Sequence, residues 1–224
     1  MQLVIFDIDG TLVRGSSERL FWRYLWTRRR QGPRQLLAFL AFFLRYLPIG
    51  GIHTSKKNKA YLTGFEATEV ERLAADFVAV DLMRVLYEPA LKRLKEHMRR
   101  GDLVLLMSGT LQPIARALGD ALGVEHVLAT LCSESRGRLR AWPPERHPFG
   151  SAKVAFAREF AQQHGLDLGT AIAYSDSRDD IELLEAVGSP VIVRPDRALR
   201  ARAAERNWEL LSTNVTSASP PAYQ

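Results

Sequence analysis

Apolar residues gather in short unbroken runs along the chain: LVIF at 3–6, LVLLM at 103–107, HVLAT at 126–130, AIAY at 171–174 and VIV at 191–193. Runs this short and uniformly apolar predict strands buried on both faces. Between them the pattern takes a helical period. EPALKRLKEHMRR precedes the second run and stops at Gly101, and QPIARALGDALG follows it with Pro113 in its first turn. SAKVAFAREFAQQHG stops at Gly165 and DDIELLEAVG at Gly188. Strands alternating with helices predict an α/β core built on a Rossmann-like, doubly wound parallel sheet.

About eighty residues between the first two runs carry no strand signal and read as helices: SERLFWRYLWTRRR, PRQLLAFLAFFLRYL and TEVERLAADFVAV. Thr68 with Glu71 three residues on predicts a capping box for the last. The expected organisation is a core from 1–13 and 85–211, a small inserted helical cap over 14–84, and a flexible tail over 212–224. LLAFLAFFLRYL, 36–47, is apolar nearly all round, yet bounded by Arg34, Arg45 and Pro48. It falls short of the roughly 20 residues a membrane span needs. It reads as a helix buried between others or as one lying on lipid.

Ligands of parallel α/β sheets sit beyond the carboxyl ends of the strands. Asp7 and Asp9 follow the first run, and Ser108, Gly109 and Thr110 the second. Lys153 opens the helix before the fourth, which is followed by Ser175, Asp176, Ser177, Asp179 and Asp180. Turn and cap chemistry accounts for any one of these groups; all four together on one edge predict a site. Several carboxylates in one pocket repel and call for a hard dication, Mg²⁺; no His/Cys cluster of zinc type is present. An aspartate can attack phosphorus, and a second one two residues on, on the same side of an extended chain, can move the proton. A lysine, a hydroxyl and backbone N–H groups at a helix start hold phosphoryl oxygens.

FDIDGTL, LLMSGT, Lys153 and YSDSRDDIELLEAVGSPVIVRPD resemble, in order, the four motifs of the haloacid dehalogenase superfamily. The insert after the first motif is similar to the small cap of its phosphoserine-phosphatase-like branch (subfamily IB). The resemblance implies an Mg²⁺-dependent phosphomonoester phosphatase working through an aspartyl-phosphate. It implies Asp7 as nucleophile and metal ligand, and Asp9 as general acid/base whose carbonyl also binds metal. Ser108 and the Gly109 amide would hold phosphoryl oxygens, and Lys153 would bridge Asp7 and the phosphoryl group. Asp176 would be a metal ligand, Asp180 one directly or through water, and Thr11 would fix the first loop.

Two departures bear on substrate. Ser16 stands where phosphoserine phosphatases place a glutamate for the substrate ammonium, and Glu18 lies two residues on. That leaves phosphoserine, or a catalytically weak binding protein on the same fold, as alternatives. Ser175 and Asp179 stand where the fourth motif usually has Gly and Asn. The cap is rich in bases and aromatics, and Arg45, Lys56, Lys57 or Lys59 is the base expected to reach the phosphate. Such a cap suits a small metabolite phosphate or a lipid head group, with peripheral membrane contact as an option.

The net charge of +6 suits anionic ligands. The arginines sit partly in apolar helices rather than beside a recognition motif, so no nucleic acid is expected. Cys132 is the single cysteine, which excludes an internal disulfide and fits a reduced, cytoplasmic protein. The first residues form a strand ending in acids where a signal peptide would be apolar. His53, His97, His126, His147 and His164 lack a metal spacing and read as surface or packing residues. WPPERHPFG, 142–150, reads as pocket rim.

Overall fold

The computed structural model describes residues 1–51 and 54–211. The tail expected to be flexible, 212–224, and His53 lie outside the described residues.

The chain begins with strand β1 (Leu3–Phe6), then enters the insertion: helices α1 (Ser17–Thr27), α2 (Pro33–Gly50), the one-turn α3 (Thr54–Lys57) and α4 (Ala67–Val80). The core resumes with α5 (Glu88–Arg99), β2 (Leu103–Leu111), α6 (Gln112–Leu122) and β3 (His126–Thr130). A small hairpin, β4 (Glu134–Ser135) and β5 (Arg138–Leu139), precedes α7 (Ala152–Gln163) and β6 (Ile172–Ser175). The chain ends in α8 (Ile181–Ala186), β7 (Ser189–Val193), α9 (Arg197–Glu205) and β8 (Glu209–Leu211). Six strands form one parallel sheet in the order β3-β2-β1-β6-β7-β8: the five expected from the apolar runs, and β8 at the edge.

All four residues of β1 are buried because helices cover both faces of the sheet. Val4 and Phe6 pack with Ala90 and Leu94 of α5 and Ile114 and Leu118 of α6. Leu3 and Ile5 point the other way, into Ala157 of α7, Leu184 of α8 and Leu199 of α9. The former cluster runs on without a break into the insertion: Val70, Leu73, Ala74 and Phe77 of α4 and Phe21 and Leu25 of α1 belong to it. Hydrogen bonds from Arg14 N to the Val85 carbonyl and from Tyr87 N to that of Leu12 stitch the two ends of the insertion together.

Three local expectations are corrected. The capping box at Thr68 and Glu71 does not form, because α4 starts earlier with Glu66 at its N-cap. Tertiary contacts set that start: Ala67 N donates to the Gly137 carbonyl in the hairpin turn, and Arg138 Nη2 donates to Glu66 at 2.7 Å. Pro48 does not end α2, which runs on to Gly50. Nor is α2 buried between neighbours: Phe42 faces inward, while Leu37, Leu40, Leu44 and Leu47 face solvent.

Candidate active site

The site lies where the sheet changes direction, at β1 and its neighbours β2 and β6. The chain leaves β1 through Asp7, whose N–H donates to the Tyr174 carbonyl of β6 at 3.0 Å. It then turns tightly, with Gly10 in the left-handed region at φ +83°. A Cβ on Gly10 would fall 2.0 Å from Asp176 Oδ2, so only glycine lets the two loops meet. Thr11 Oγ1 donates to Asp176 Oδ1 at 3.2 Å and ties the same loops together.

Lys153, buried at the start of α7, holds the centre. Its Nζ donates to Asp7 Oδ1 at 2.6 Å and to Asp180 Oδ2 at 2.7 Å. Ser175 Oγ, at the end of β6, donates to the same Asp180 oxygen at 2.6 Å. The serine that replaces the usual glycine therefore fixes Asp180. Burial pushes the Asp7 carboxyl well above the ordinary carboxylate range; Lys153 pulls it back, and Asp180 and Asp176 push it further up. Burial works against the Lys153 ammonium, but Asp180 and Asp7 outweigh it and raise its pKa. Burial also lifts Asp176 to about 6, against the hydrogen bond from Thr11.

Asp9 is turned toward α1, where its Oδ1 accepts from Ser17 N at 2.9 Å. Ser17 Oγ lies 2.7 Å from Thr110 Oγ1, linking that helix start to β2. Burial raises Asp9 despite the hydrogen bonds from Ser17, a setting that suits a carboxyl required to hold a proton. Ser108 is buried, its Oγ accepting from Thr110 N at 3.3 Å, and Gly109 packs under Phe149 closely enough that a Cβ would come within 3.3 Å of that ring. The pairing of β2 with β3 shifts register between Met107 and Leu111, across these residues.

A cavity of about 700 Å³ opens over this edge and takes in Asp7, Asp9, Ser108, Gly109, Lys153, Asp176 and Asp180. Its other walls come from the insertion and from the 142–150 loop. Lys56 and Lys59 reach it, whereas Arg45 and Lys57 stay outside its wall. Lys59 is buried and paired with Glu18, which also accepts from Tyr61 Oη at 3.0 Å. Ser16 is the N-cap of α1 and accepts from Arg19 N at 3.3 Å. Lys56 stands 5.3 Å over the Phe149 ring. Asp179 is exposed at the rim, and its N–H donates to Ser177 Oγ at 3.1 Å.

His147, read from sequence as a surface or packing residue, is part of the cavity wall. Thr130 Oγ1 donates its one proton to the Gly109 carbonyl at 2.7 Å and so must accept from His147 Nδ1 at 2.8 Å. That tautomer leaves Nε2 as an acceptor, buried and without a hydrogen-bond partner among the described residues. Burial, reinforced by the surrounding lysines, lowers its pKa to about 3 and keeps the ring neutral. Its partner Thr130 lies 17 positions away, so no local pattern marks this residue. Cys132 is inert by comparison: burial pushes its thiol up to about 12.

Among the described residues no group of three or more His, Cys, Asp or Glu side chains could hold a metal ion. Asp7, Asp9 and Asp176 line the cavity together, and their oxygens make a thinner donor set. Mg²⁺ keeps several waters and needs no fuller cage. Burial chiefly, and the neighbouring carboxylates after it, raise Asp7 and Asp176; a cation beside them would favour their charged forms, so these oxygens fit such an ion.

The chain is 29% identical to the inhibition of morphological differentiation protein of Streptomyces azureus, over 92% of this chain and 76% of that protein. It is 28% identical to a phosphoserine phosphatase of Mycobacterium tuberculosis, over 92% and 68%. It is 25% identical to a histidinol-phosphatase of Neisseria meningitidis, over 94% and 98%. A solved protein of unknown function from Bordetella pertussis superposes with a TM-score of 0.80 at 25% identity, covering 94% of this chain and 97% of that one. A substrate-bound phosphoserine phosphatase shares the fold, with a TM-score of 0.63 at 18% identity over 96% and 95%. The family model for haloacid dehalogenase-like hydrolases matches residues 4–185, and the chain belongs to that family.

Proposed function

We propose that this protein hydrolyses phosphomonoesters with Mg²⁺ through an aspartyl-phosphate on Asp7. The observation that carries the reading is the Lys153 ammonium bridging Asp7 and Asp180 beneath a cavity that also exposes Ser108 and Gly109. Asp7 Oδ1 is held by Lys153, which leaves Oδ2 to attack phosphorus. The P–O bond to the alcohol breaks, and the leaving oxygen takes the Asp9 proton. Asp9, now a carboxylate, takes a proton from water as that water attacks the phosphoenzyme. Phosphate leaves and Asp7 is regenerated. The Ser108 hydroxyl and the Gly109 N–H hold phosphoryl oxygens, and Lys153 neutralises their charge. Mg²⁺ would be held by Asp7, Asp176 and the Asp9 carbonyl, with Asp180 behind them, and would supply further charge neutralisation.

Lys56 is the cap base we assign to the phosphate, because Lys59 is spent on Glu18. The same pairing argues against phosphoserine. Ser16 carries no charge, and Glu18 is already neutralised, so nothing in that corner calls for a substrate ammonium. A phosphorylated small molecule with an uncharged alcohol fits the wall better. A lipid head group is accommodated by the same chemistry.

Phosphate release with Mg²⁺ should be measured on an aryl phosphate, phosphoserine, sugar and nucleotide monophosphates and phosphatidylglycerol phosphate, with Asp7→Ala as control. Turnover that needs both Mg²⁺ and Asp7 supports the reading. Turnover that survives Asp7→Ala, or silence on every substrate, sinks it.

A further inference from the structure

The positive balance of this protein has one source. Residues 19–57 carry seven arginines and two lysines and no acid, while the rest of the chain has twenty-two basic and twenty-five acidic residues. The same segment forms α1 and α2, and α2 is built inside out for a surface helix. Leu37, Leu40, Leu44 and Leu47 recur at the spacing of one helix face, and that face points to solvent: Leu37 is 66% and Leu44 75% exposed. On α1, Trp22 and Trp26 are 43% and 47% exposed and meet edge to face at 6.1 Å. Trp22 and Phe39 of α2 also line the catalytic cavity, so the apolar face borders its mouth.

We propose that α1 and α2 dock this protein on an anionic lipid bilayer, leucines and tryptophans in the interface and arginines against the head groups. Exposed apolar residues with aromatic and arginine neighbours are what an interfacial helix needs. Charge complementarity selects this occupant. A second copy is a poor alternative, because a two-fold contact would set one arginine-rich segment against another. Among the described residues no helix is long and apolar enough to cross a membrane. The inference does not depend on the reaction proposed above.

The test is sedimentation of the full chain with phosphatidylcholine vesicles, with and without about one-third phosphatidylglycerol. The chain should pellet at least about tenfold more tightly with the anionic vesicles, and strong salt should weaken the binding. The Leu37→Glu/Leu44→Glu variant should stay in the supernatant while turning over a soluble aryl phosphate at the wild-type rate. In the wild type, tryptophan emission should shift to the blue with anionic vesicles, and Trp22→Phe/Trp26→Phe should abolish the shift. Wild-type protein that ignores anionic vesicles would overturn the proposal. So would a Leu37→Glu/Leu44→Glu variant that pellets like wild type, or light scattering that shows an α2-dependent dimer instead of vesicle binding.

Discussion

The Lys153 ammonium lies 2.6 Å from the Asp7 carboxylate, both buried and 146 positions apart in the chain. The pair joins the end of β1 to the start of α7 and holds the proposed nucleophile at one oxygen.

Lys153→Met keeps the aliphatic stem and removes the charge. Turnover should fall at least about 10²-fold, as when a donor to a developing charge is lost. Without Mg²⁺, the unfolding free energy at neutral pH should drop by about 3 kcal/mol, because two buried carboxylates lose their cation. The loss should shrink at low pH, where the Asp7 carboxyl, raised by burial, takes up a proton. Denaturant titrations at both pH values check this; a pH-independent loss would mean that packing dominates.

Asp9→Asn removes the proton donor and keeps an acceptor oxygen for Ser17 N. With an aryl phosphate, whose leaving group needs little protonation, phosphoenzyme should still form, and its hydrolysis should slow at least about 10²-fold. Acid-quench trapping of the phosphoenzyme separates the two steps. Equal slowing of both would make Asp9 a structural residue only.

Metal and protons compete for the same oxygens. Asp176 sits at about 6 and Asp7 is raised as well. An acid raised in the folded state stabilises the fold while protonated, and that contribution is lost as pH climbs through its folded pKa. The Tm of metal-free protein should therefore fall as pH rises from about 4 to beyond 6. The rise in Tm on adding Mg²⁺ should be larger at pH 7.5 than at pH 5. Equal rises would contradict Asp7 and Asp176 as ligands.

Gly10→Ala should cost about 1–3 kcal/mol, since its φ is +83° and its Cβ would overlap the Asp176 carboxylate. The clash pushes the β6 loop off the site, so the Mg²⁺ concentration for half-maximal activity should rise more than the substrate KM. A variant with unchanged metal dependence would uncouple Gly10 from the Asp176 oxygens.

The sheet and the chemistry-bearing edge were legible because both depend on local signals: apolar runs bounded by turns, and acids at strand ends where they are costly unless used. What escaped depends on distant partners. β4, β5 and β8 are two or three residues long, too short for a period to show. The start of α4 answers to Gly137 and Arg138 rather than to its own Thr68. An all-apolar helix does not reveal which face it buries, so the outward leucines of α2 needed the structure. Glu18 is paired with Lys59, forty-one residues on, which no local pattern marks.

The packing of α4 on α6 has a mechanical consequence for entry to the cavity. The two ends of the insertion meet between Leu12 and Tyr87, where a hinge for the whole cap would naturally sit. Swinging there would tear Leu73 and Phe77 away from Ile114 and Leu118, which share one buried cluster with them. Among the described residues α2 meets that cluster through the partly buried Phe39. Opening the cavity at the Leu12–Tyr87 hinge would thus cost core contacts, whereas displacing α2, which carries the solvent-facing leucines, would cost fewer.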